Sequence, residues 1–370
     1  PLYHDMGLIG AWLGSLYYGA SLYLLSPFSF LSQPIRWLEA IHQFRATFTT
    51  APNFAYELCV KRITQEQLTK LNLESLRACF NGAEPVSALT IRNFWTKFSP
   101  CKLRREALKP VYGLAECAVG LSFPPLSKEP VIDRIDREIL QSSGRSVPSL
   151  NETKTISIVS CGLPLPNHEV RIVDAQGKEL PERMEGRIQF RGPSATSGYF
   201  NNPEENKKLF EDDWLNTGDL GYRAQGELYV TGRSKDVLIR AGRKIQPHEV
   251  EEWVGLIPEV RKGGVAVFGL PDPSSGTERF IIVAETLLKN RGQRLELTKT
   301  IRKQVFALEN VAPDEIILLK PHSLPKTSSG KLRRFACREA YQNGKLGRKN
   351  ASPSWQIMRI LFQAGGSRVM

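Results

Sequence analysis

The stretch "LRACFNGAEPV" (residues 76–86) holds a short apolar run that leads into a glycine turn, and "KPVYGLAEC" (residues 109–117) repeats that form. Upstream, Trp37 to Phe44 and Phe54 to Ile63 carry apolar side chains at helical spacing. Strands that alternate with helices predict an α/β layered domain. In such a domain function is expected at the carboxyl ends of the strands.

The bulk composition predicts a two-domain globular protein. The chain has 370 residues and a net charge of +12, which favours anionic partners. Nucleic acid is not predicted as a partner, because the sequence has no zinc-ligand pattern, aromatic RNA-binding motif or long basic helix. The six cysteines form no C-x-x-C pair, so they are interpreted as reduced, mostly buried thiols of a cytoplasmic protein.

An uncharged run extends from Met6 through Ile35. Its glycines and Pro27 argue against a membrane span, and we expect a buried helix followed by a buried strand at "GASLYLLS" (residues 19–26). No basic segment precedes the run, so a signal peptide is not predicted, whereas peripheral membrane contact stays open. Because the chain begins with Pro1, we expect it to be part of a longer protein.

Changes of pattern along the chain predict its domains. Residues 1–234 are interpreted as a large domain, in which 124–158 form an insertion and 159–234 a small β subdomain with a hairpin at "HEVRIVDAQGKEL". The insertion is polar and is interpreted as a solvated surface loop with one short helix. Residues 235–345 are predicted to form a smaller, mobile α+β domain, and 346–370 a basic tail or linker.

Apolar periodicity predicts the elements of the smaller domain. A helix, two strands, a second helix and a third strand are expected at 247–256, 264–269, 279–284, near 297–308 and at 315–319, respectively.

Two glycine-rich motifs carry side chains that could bind a nucleotide. In "NTGDLGY" (residues 216–222), Asp219 is expected to project from a loop between two glycines, where its carboxylate could accept hydrogen bonds from a vicinal diol; a capped turn is the alternative. In "VYGLAE" (residues 111–116), Tyr112 offers a flat ring to a base and Glu116 offers oxygens to Mg²⁺.

Three further motifs are weaker on their own. The backbone of "NGAEPV" (residues 81–86) could bind the edge of a base or could form a plain loop. "GRSKD" (residues 232–236) could be a pivot between domains or a salt-bridged hairpin end. "LPKTSSGKLRR" (residues 324–334) lacks the spacing of a phosphate-binding P-loop, so it is interpreted as a mobile loop that delivers the charge of Lys331.

In this order the motifs resemble the adenylate-forming superfamily of acyl and aryl ligases and adenylation domains. Within that superfamily the chain is most similar to the fatty acyl-AMP ligases. The segments that carry the resemblance are "PLYHDMGLIG", "RWLEAI", "APNFAYELCVKRI", "NGAEPV", "VYGLAE", the insertion ending in "VSCGLPLPNHEVRIVD", "NTGDLGY", "GRSKDVLIRAGRKI" and "LPKTSSGKLRR". The superfamily's Ser/Thr/Gly-rich triphosphate loop is absent from this chain, and we expect the chain alone to bind ATP poorly.

The resemblance implies a role for each matching residue. Lys331 would bridge the carboxylate and the α-phosphate, Glu116 would ligate Mg²⁺, His4 would gate the acyl pocket and Lys235 would be the hinge. The residues implied in nucleotide binding are Asp219 and Arg233 at the ribose, Tyr112 stacked on adenine, and Gly82, Ala83, Glu84 and Gly113 around it.

The implied activity is the ATP-dependent conversion of a fatty acid to an acyl-adenylate, followed by acyl transfer to the phosphopantetheine thiol of an acyl carrier protein. Nine Lys or Arg and one acidic residue lie between Lys320 and Lys349, and such a basic face would steer an acidic carrier. The alternatives are a long-chain acyl-CoA synthetase, with coenzyme A as acceptor, and a non-catalytic adenylate-binding domain.

Overall fold

The computed structural model describes residues 2–151, 154–240, 243–272, 277–327 and 331–347. The chain divides into two compact units, Pro1–Lys235 (unit 1) and Asp236–Met370 (unit 2). The predicted second domain began at Lys235, and the division falls just after that residue.

The first half of unit 1 is an α/β layer built on a parallel sheet, which confirms the predicted fold class. The strands lie in the order β1-β2-β3 and pair in parallel. Its core is aromatic and apolar: Tyr56 meets Phe94 edge-on at 4.9 Å between ring centroids. The elements are α1 Gly14–Tyr17, α2 Pro27–Ser32, α3 Ile35–Phe44, β1 Phe48–Ala51, α4 Asn53–Arg62, α5 Gln65–Leu68, β2 Ala78–Asn81, α6 Ala88–Phe98 and β3 Leu108–Pro110.

The uncharged run near the start does not form the predicted buried helix and strand. Met6–Leu13 is a wide helical turn with no buried residue, and residues 19–26 contain no strand. Tyr17 is 83% exposed and Leu24 65%. The prediction was wrong because a strand needs a neighbour to pair its backbone, and residues 19–26 pair with none of the strands of the described sheet β1-β2-β3.

The insertion is folded and packed, so its interpretation as a solvated loop was wrong, although the short helix is present. The elements in the insertion are β5 Ile132–Asp136, α7 Arg137–Ser143 and β6 Thr155–Val159, and the short strands β4 Ser122–Phe123 and β7 Leu163–Pro164 flank it. β5 and β6 form an antiparallel pair. Ile135 and Leu140 are buried in one cluster with Tyr222 and Tyr229, whose rings stack at 4.9 Å. This apolar face is a reason for the segment to be ordered.

The rest of unit 1 is the predicted β subdomain. Strands lie in the order β10-β11-β9-β8, and β12 also pairs with β11. The predicted hairpin turn follows β8: Asp174 accepts hydrogen bonds from the amides of Gln176 and Lys178 at 2.9 Å, and Gly177 has φ 82°. The elements are β8 Glu169–Val173, β9 Gly186–Arg191, α8 Pro203–Leu209, β10 Phe210–Glu211, β11 Trp214–Ala224 and β12 Glu227–Arg233.

Unit 2 is a compact α+β fold around the sheet β15-β16-β17. Its core includes Val267, Phe280, Ile282 and Ile301, all fully buried. The elements are β13 Leu238–Arg240, β14 Arg243–Ile245, α9 Pro247–Val254, β15 Val260–Asp272, β16 Thr277–Thr286, α10 Arg291–Glu309, β17 Glu315–Leu319 and α11 Arg334–Gln342. The sequence patterns predicted five of these elements and missed the β13–β14 hairpin and α11. Across the described ranges, no helix is both long and apolar enough to span a bilayer.

Candidate functional site

The carboxyl ends of three parallel strands meet at one edge of the sheet in unit 1. Ala51 pairs with Asn81, and Asn81 pairs with Pro110. The segments that follow β2 and β3 are the predicted nucleotide-binding motifs, so the fold brings residues 82–86 and 111–116 together at this edge.

The loop after β2 is closely packed and strained. A Cβ on Gly82 would lie 2.9 Å from the Cγ2 of Val111, so a larger residue there would push the two segments apart. Ala83 has φ 69°, a left-handed conformation that costs a non-glycine residue about 1–2 kcal/mol. Glu84 is partly exposed.

Asn53 secures this loop, and the sequence reasoning missed it. Its Oδ1 accepts a hydrogen bond from the Asn81 Nδ2 (2.9 Å) and another from the Ser87 amide (3.2 Å), and its Nδ2 donates to the Pro85 carbonyl (2.7 Å). Asn53 is the first residue of α4, and an asparagine at a helix start is ordinarily interpreted as a capping residue.

Tyr112, Asp219 and Arg233 come together although two of them are 107 residues apart. The Tyr112 hydroxyl donates to Asp219 Oδ2 at 2.6 Å, and Arg233 Nε lies 3.3 Å from Asp219 Oδ1. Asp219 is 9% exposed, whereas the Arg233 side chain is 72% exposed. Burial first, and then the Asp219 carboxylate, raise the pKa of Tyr112 well above its usual value, so the phenol stays a donor.

Asp219 lies on strand β11, so the prediction that it projects from a loop was wrong. The pairing of β11 with β9 shifts register between Asn216 and Leu220, and Gly218 has φ 75°. Asp219 is in register with Arg233 on β12. The glycines therefore allow a bulge within a continuous strand and not a chain reversal.

Glu116 lies in the short helical turn Ala115–Cys117 and contacts a segment that the sequence reasoning did not single out. The Tyr199 hydroxyl donates to Glu116 Oε1 at 2.5 Å, and the Thr196 amide donates to the Glu116 carbonyl at 2.8 Å. Burial, and next the hydrogen bond to Glu116, raise the pKa of Tyr199 to about 12. No sequence signal marks Tyr199, because it lies 83 residues from Glu116.

The donor set around Glu116 fits Mg²⁺ only as a partial protein shell. Among the described residues, no three His, Cys, Asp or Glu side chains converge in a group that could hold a metal ion. Mg²⁺ typically takes one or two protein carboxylates and completes its shell with substrate phosphates and water. A single carboxylate, Glu116, beside the candidate nucleotide site is consistent with this coordination preference.

Gly113 is required by its surroundings. A Cβ at this position would lie 1.9 Å from the carbonyl oxygen of Val119, so the chain from 113 to 119 could not close as it does. Ala118 and Val119 have φ of 52° and 88°, which makes this a strained segment beside Glu116.

His4 lies in a locally bonded segment near the end of β1. His4 Nδ1 lies 2.5 Å from Asp5 Oδ1 and accepts from the Met6 amide at 3.2 Å. The Met6 sulfur contacts the Thr50 hydroxyl at 2.9 Å, which brings this segment to the same edge of the sheet.

Lys331 belongs to unit 2, and its backbone is hydrogen-bonded to Thr327. Its amide donates to the Thr327 Oγ1 at 3.0 Å, and its carbonyl accepts from the Thr327 amide at 2.8 Å. Residues 328–330, the centre of the predicted mobile loop, lie outside the described residues. Lys235, the predicted hinge, is exposed and ends unit 1.

The predicted basic face needs one correction. Arg334 is not available to a partner, because its guanidinium is paired with Asp236 and Glu251, each at 2.7 Å. Its side chain is 23% exposed, whereas Arg333 is an exposed residue. Counting charges along the sequence could not separate the internal cation from its external neighbour.

A family model described as AMP-binding enzyme matches residues 1–200. The chain belongs to this family of AMP-binding enzymes. This match confirms the resemblance to the adenylate-forming superfamily, and the relatives and the solved structure described next confirm the resemblance to its fatty acyl-AMP ligases.

Two curated relatives are named as ligases of fatty acids. The medium-chain-fatty-acid–[acyl-carrier-protein] ligase JamA of Moorena producens is 37% identical, over 94% of this chain and 60% of its own length. The long-chain-fatty-acid–AMP ligase FadD26 of Mycobacterium marinum is 34% identical, over 94% of this chain and 62% of its own length.

A solved structure from work on fatty acyl-adenylate ligases of E. coli and L. pneumophila superimposes with a TM-score of 0.86. It is 35% identical and is matched over 93% of this chain and 61% of its own. This chain thus spans about three fifths of the length of the curated relatives it matches.

Proposed function

We propose that the protein containing this chain activates a fatty acid with ATP to an acyl-adenylate and then transfers the acyl group to the phosphopantetheine thiol of an acyl carrier protein. The observation that carries the proposal is that Asp219 contacts both Tyr112 and Arg233 near the carboxyl ends of the parallel strands, where the sequence motifs predict a nucleotide site. The names of JamA and FadD26 support the class of substrate.

The nucleotide would be held by groups that the fold has already oriented. Asp219 would accept hydrogen bonds from the ribose hydroxyls, and Arg233 would balance its charge. Tyr112 would present its ring to adenine. Gly82, Ala83, Glu84 and Gly113 would line the base pocket, in which the paired carboxylate resists reorientation when a ligand enters.

In the first step, a carboxylate oxygen of the fatty acid attacks the α-phosphorus of ATP. An O–P bond forms to that oxygen, the bond to the β-phosphate oxygen breaks, and pyrophosphate leaves. Lys331 would offset the negative charge that builds up, and its loss would lower the rate about 10²- to 10³-fold. Glu116 would be the protein ligand of Mg²⁺, which supplies charge neutralisation at the phosphates. His4 would gate the acyl pocket.

In the second step, the carrier thiol loses its proton to solvent and its sulfur attacks the acyl carbonyl. A C–S bond forms, the bond from the acyl carbon to the phosphate oxygen breaks, and AMP leaves. A turn about Lys235 would first withdraw Lys331 and open the path of the thiol. Arg333 and Arg338 remain as candidate steering residues, since Arg334 is internally paired. Six free, buried thiols support the proposed cytoplasmic location.

The test distinguishes three functions: a ligase that uses a carrier protein, an acyl-CoA synthetase and a non-catalytic adenylate-binding domain. ATP–pyrophosphate exchange is measured with a fatty acid, and acyl transfer is then measured with a carrier protein and coenzyme A side by side. The proposal is supported if the wild-type protein catalyses ATP–pyrophosphate exchange and transfers the acyl group to the carrier, and if Lys331→Ala loses the exchange. Transfer to coenzyme A alone would support an acyl-CoA synthetase, and AMP binding without exchange would support a non-catalytic adenylate-binding domain.

The same assays should be run on this chain and on the longest natural protein that contains it. Because the triphosphate-loop motif is absent from this sequence, we expect the chain to bind AMP but to catalyse little exchange alone. Equal exchange in both proteins would refute that expectation. Arg333→Glu with Arg338→Glu should slow transfer to the carrier and spare exchange, whereas equal loss of both steps would count against steering.

A further inference from the structure

The segment that leads to Lys331 begins on a buried carboxylate. Glu285, on β16, is fully buried, and its Oε1 accepts hydrogen bonds from the amides of Ser323 (2.7 Å) and Leu324 (2.8 Å). Its Oε2 accepts from Arg261 Nη1 at 2.8 Å, so the buried charge is compensated. A charged acceptor shared by two consecutive amides fixes the backbone at that point.

The same segment ends on a second ion network. Arg334 donates from Nε and Nη2 to the two oxygens of Glu251, at 2.8 and 2.7 Å, and from Nη1 to Asp236 at 2.7 Å. Glu251 Oε1 also accepts the Val267 amide at 3.0 Å. The guanidinium thus joins α9 to Asp236, the first residue of unit 2.

Between these two anchors, residues 325–327 pair through their backbone with residues 331–333. Lys326 and Leu332 form an isolated antiparallel bridge, and the Arg333 amide donates to the Pro325 carbonyl at 3.1 Å. Lys331 is paired with Thr327 in the same ladder. The Lys331 Cα is therefore one residue from a bridge and three residues from the Arg334 anchor.

We propose that Glu285 and Arg334 are positioning residues, which fix the two ends of residues 323–334 so that unit 2 presents Lys331 at one defined place. Neither side chain contacts a substrate; both act through the backbone of this segment. The link from Arg334 to Asp236 also ties the segment to the residue next to the predicted hinge, so the segment moves with unit 2 as one body. The inference rests on the proposed role of Lys331.

The first test measures backbone order in this chain and needs no activity. Hydrogen–deuterium exchange is followed by mass spectrometry for residues 323–334 in Arg334→Gln and Glu285→Leu. We expect exchange of the segment to accelerate at least about tenfold while the core of α10 keeps its protection. Arg333→Gln and Glu296→Gln are the controls. Each removes from an exposed side chain the same charge that Arg334→Gln or Glu285→Leu removes from an internal one, and neither should change the exchange rate of residues 323–334.

Milder variants guard against simple unfolding. Arg334→Lys keeps the charge but not the bidentate pairing, and Asp236→Asn weakens only one partner. If these variants accelerate hydrogen exchange equally over all of unit 2, with no larger effect in residues 323–334, the networks stabilise the whole unit and the proposal is overturned. Unchanged exchange in Arg334→Gln would overturn it equally.

The second test uses the longest natural protein that contains the chain. A misplaced Lys331 should lower kcat of adenylate formation about 10- to 100-fold, with KM for ATP and fatty acid little changed. Arg334→Lys should recover part of kcat. Transfer from preformed acyl-adenylate to the acceptor should be less affected, because Lys331 acts in the first step. Faster hydrogen–deuterium exchange of residues 323–334 with an unchanged kcat would refute the positioning role. A wild-type protein that forms no acyl-adenylate would instead refute the proposed function.

Discussion

Replacing Tyr112 with phenylalanine removes one hydroxyl from the centre of the candidate site and leaves the ring in place. The hydroxyl donates to Asp219 Oδ2 at 2.6 Å, and that carboxylate is 9% exposed. After the substitution, Asp219 keeps Arg233 at 3.3 Å but loses the hydrogen bond from the Tyr112 hydroxyl, and water has little access to replace it.

The expected cost follows from the charge and the burial. A hydrogen bond to a charged group contributes about 1.5–3 kcal/mol, so Tyr112→Phe should lower the free energy of unfolding of unit 1 by that amount at pH 7. AMP binding should weaken as well, because the carboxylate that we propose binds the ribose would lose its orientation.

The pH dependence gives this prediction a sign. Because the folded-state pKa of Tyr112 is raised and a free tyrosine ionises near pH 10, the unfolded chain releases this proton first. The contribution is therefore fully present below pH 10 and falls by at most about 1.4 kcal/mol per pH unit above it. The stability gap between wild type and Tyr112→Phe should close within about one to two units above pH 10.

Urea unfolding at several pH values between 7 and 11 measures the gap. Tyr17→Phe is the matched control, since Tyr17 is 83% exposed and its hydroxyl should contribute little. A cost near zero at pH 7, or a gap that is constant from pH 9 to 11, would show that the contact with Asp219 does not stabilise the fold as argued.

Three further predictions concern other parts of the two units. Burial first, and then the charge of Arg334, lower the pKa of His248 to about 4, so unit 2 should lose stability as the pH falls from about 6.5 to 4; urea unfolding of His248→Gln over that range should show a flatter dependence. Gly113→Ala should destabilise unit 1 by about 1–3 kcal/mol or more through the clash of its Cβ with a backbone carbonyl, whereas Gly10→Ala, with no atom within 4 Å of its Cβ, should cost far less in the same denaturation assay. Asn53→Ala should release the loop after β2 and weaken AMP binding about tenfold by calorimetry with little effect on KM for the fatty acid in the longest natural protein, and an unchanged AMP affinity would contradict its role.

Local pattern predicted the elements whose partners are near or whose period is clear. The bounds of β17, Glu315–Leu319, agree with the predicted strand, and the turn after β8 lies at the predicted residues. The run at 19–26 was mispredicted, because apolar composition does not say whether a neighbouring strand exists. The insertion was mispredicted for the opposite reason: its polar sequence includes an apolar face that packs against Tyr222, Ala224 and Tyr229, which are distant in the sequence.

The site residues divide in the same way. Motifs predicted Tyr112, Asp219 and Glu116 as candidate site residues, because glycines mark tight segments near chemistry-bearing side chains. Tyr199 and Glu285 were missed, since each acts on a segment far away in the sequence and carries no local mark. Contacts of that kind are a property of the tertiary fold.

The segment "GRSKD" has the ion pair expected of a salt-bridged hairpin end, whereas the pivot between domains stays a prediction. Arg233 pairs with Asp219 within unit 1, and both the amide and the hydroxyl of Ser234 donate to the Gly218 carbonyl, at 3.0 and 2.9 Å. Asp236 pairs with Arg334 within unit 2. The segment is thus anchored by ion pairs on either side of the division, one in each unit. Any turn of one unit against the other would have to be taken up in the few backbone bonds at Lys235, where the hinge was predicted.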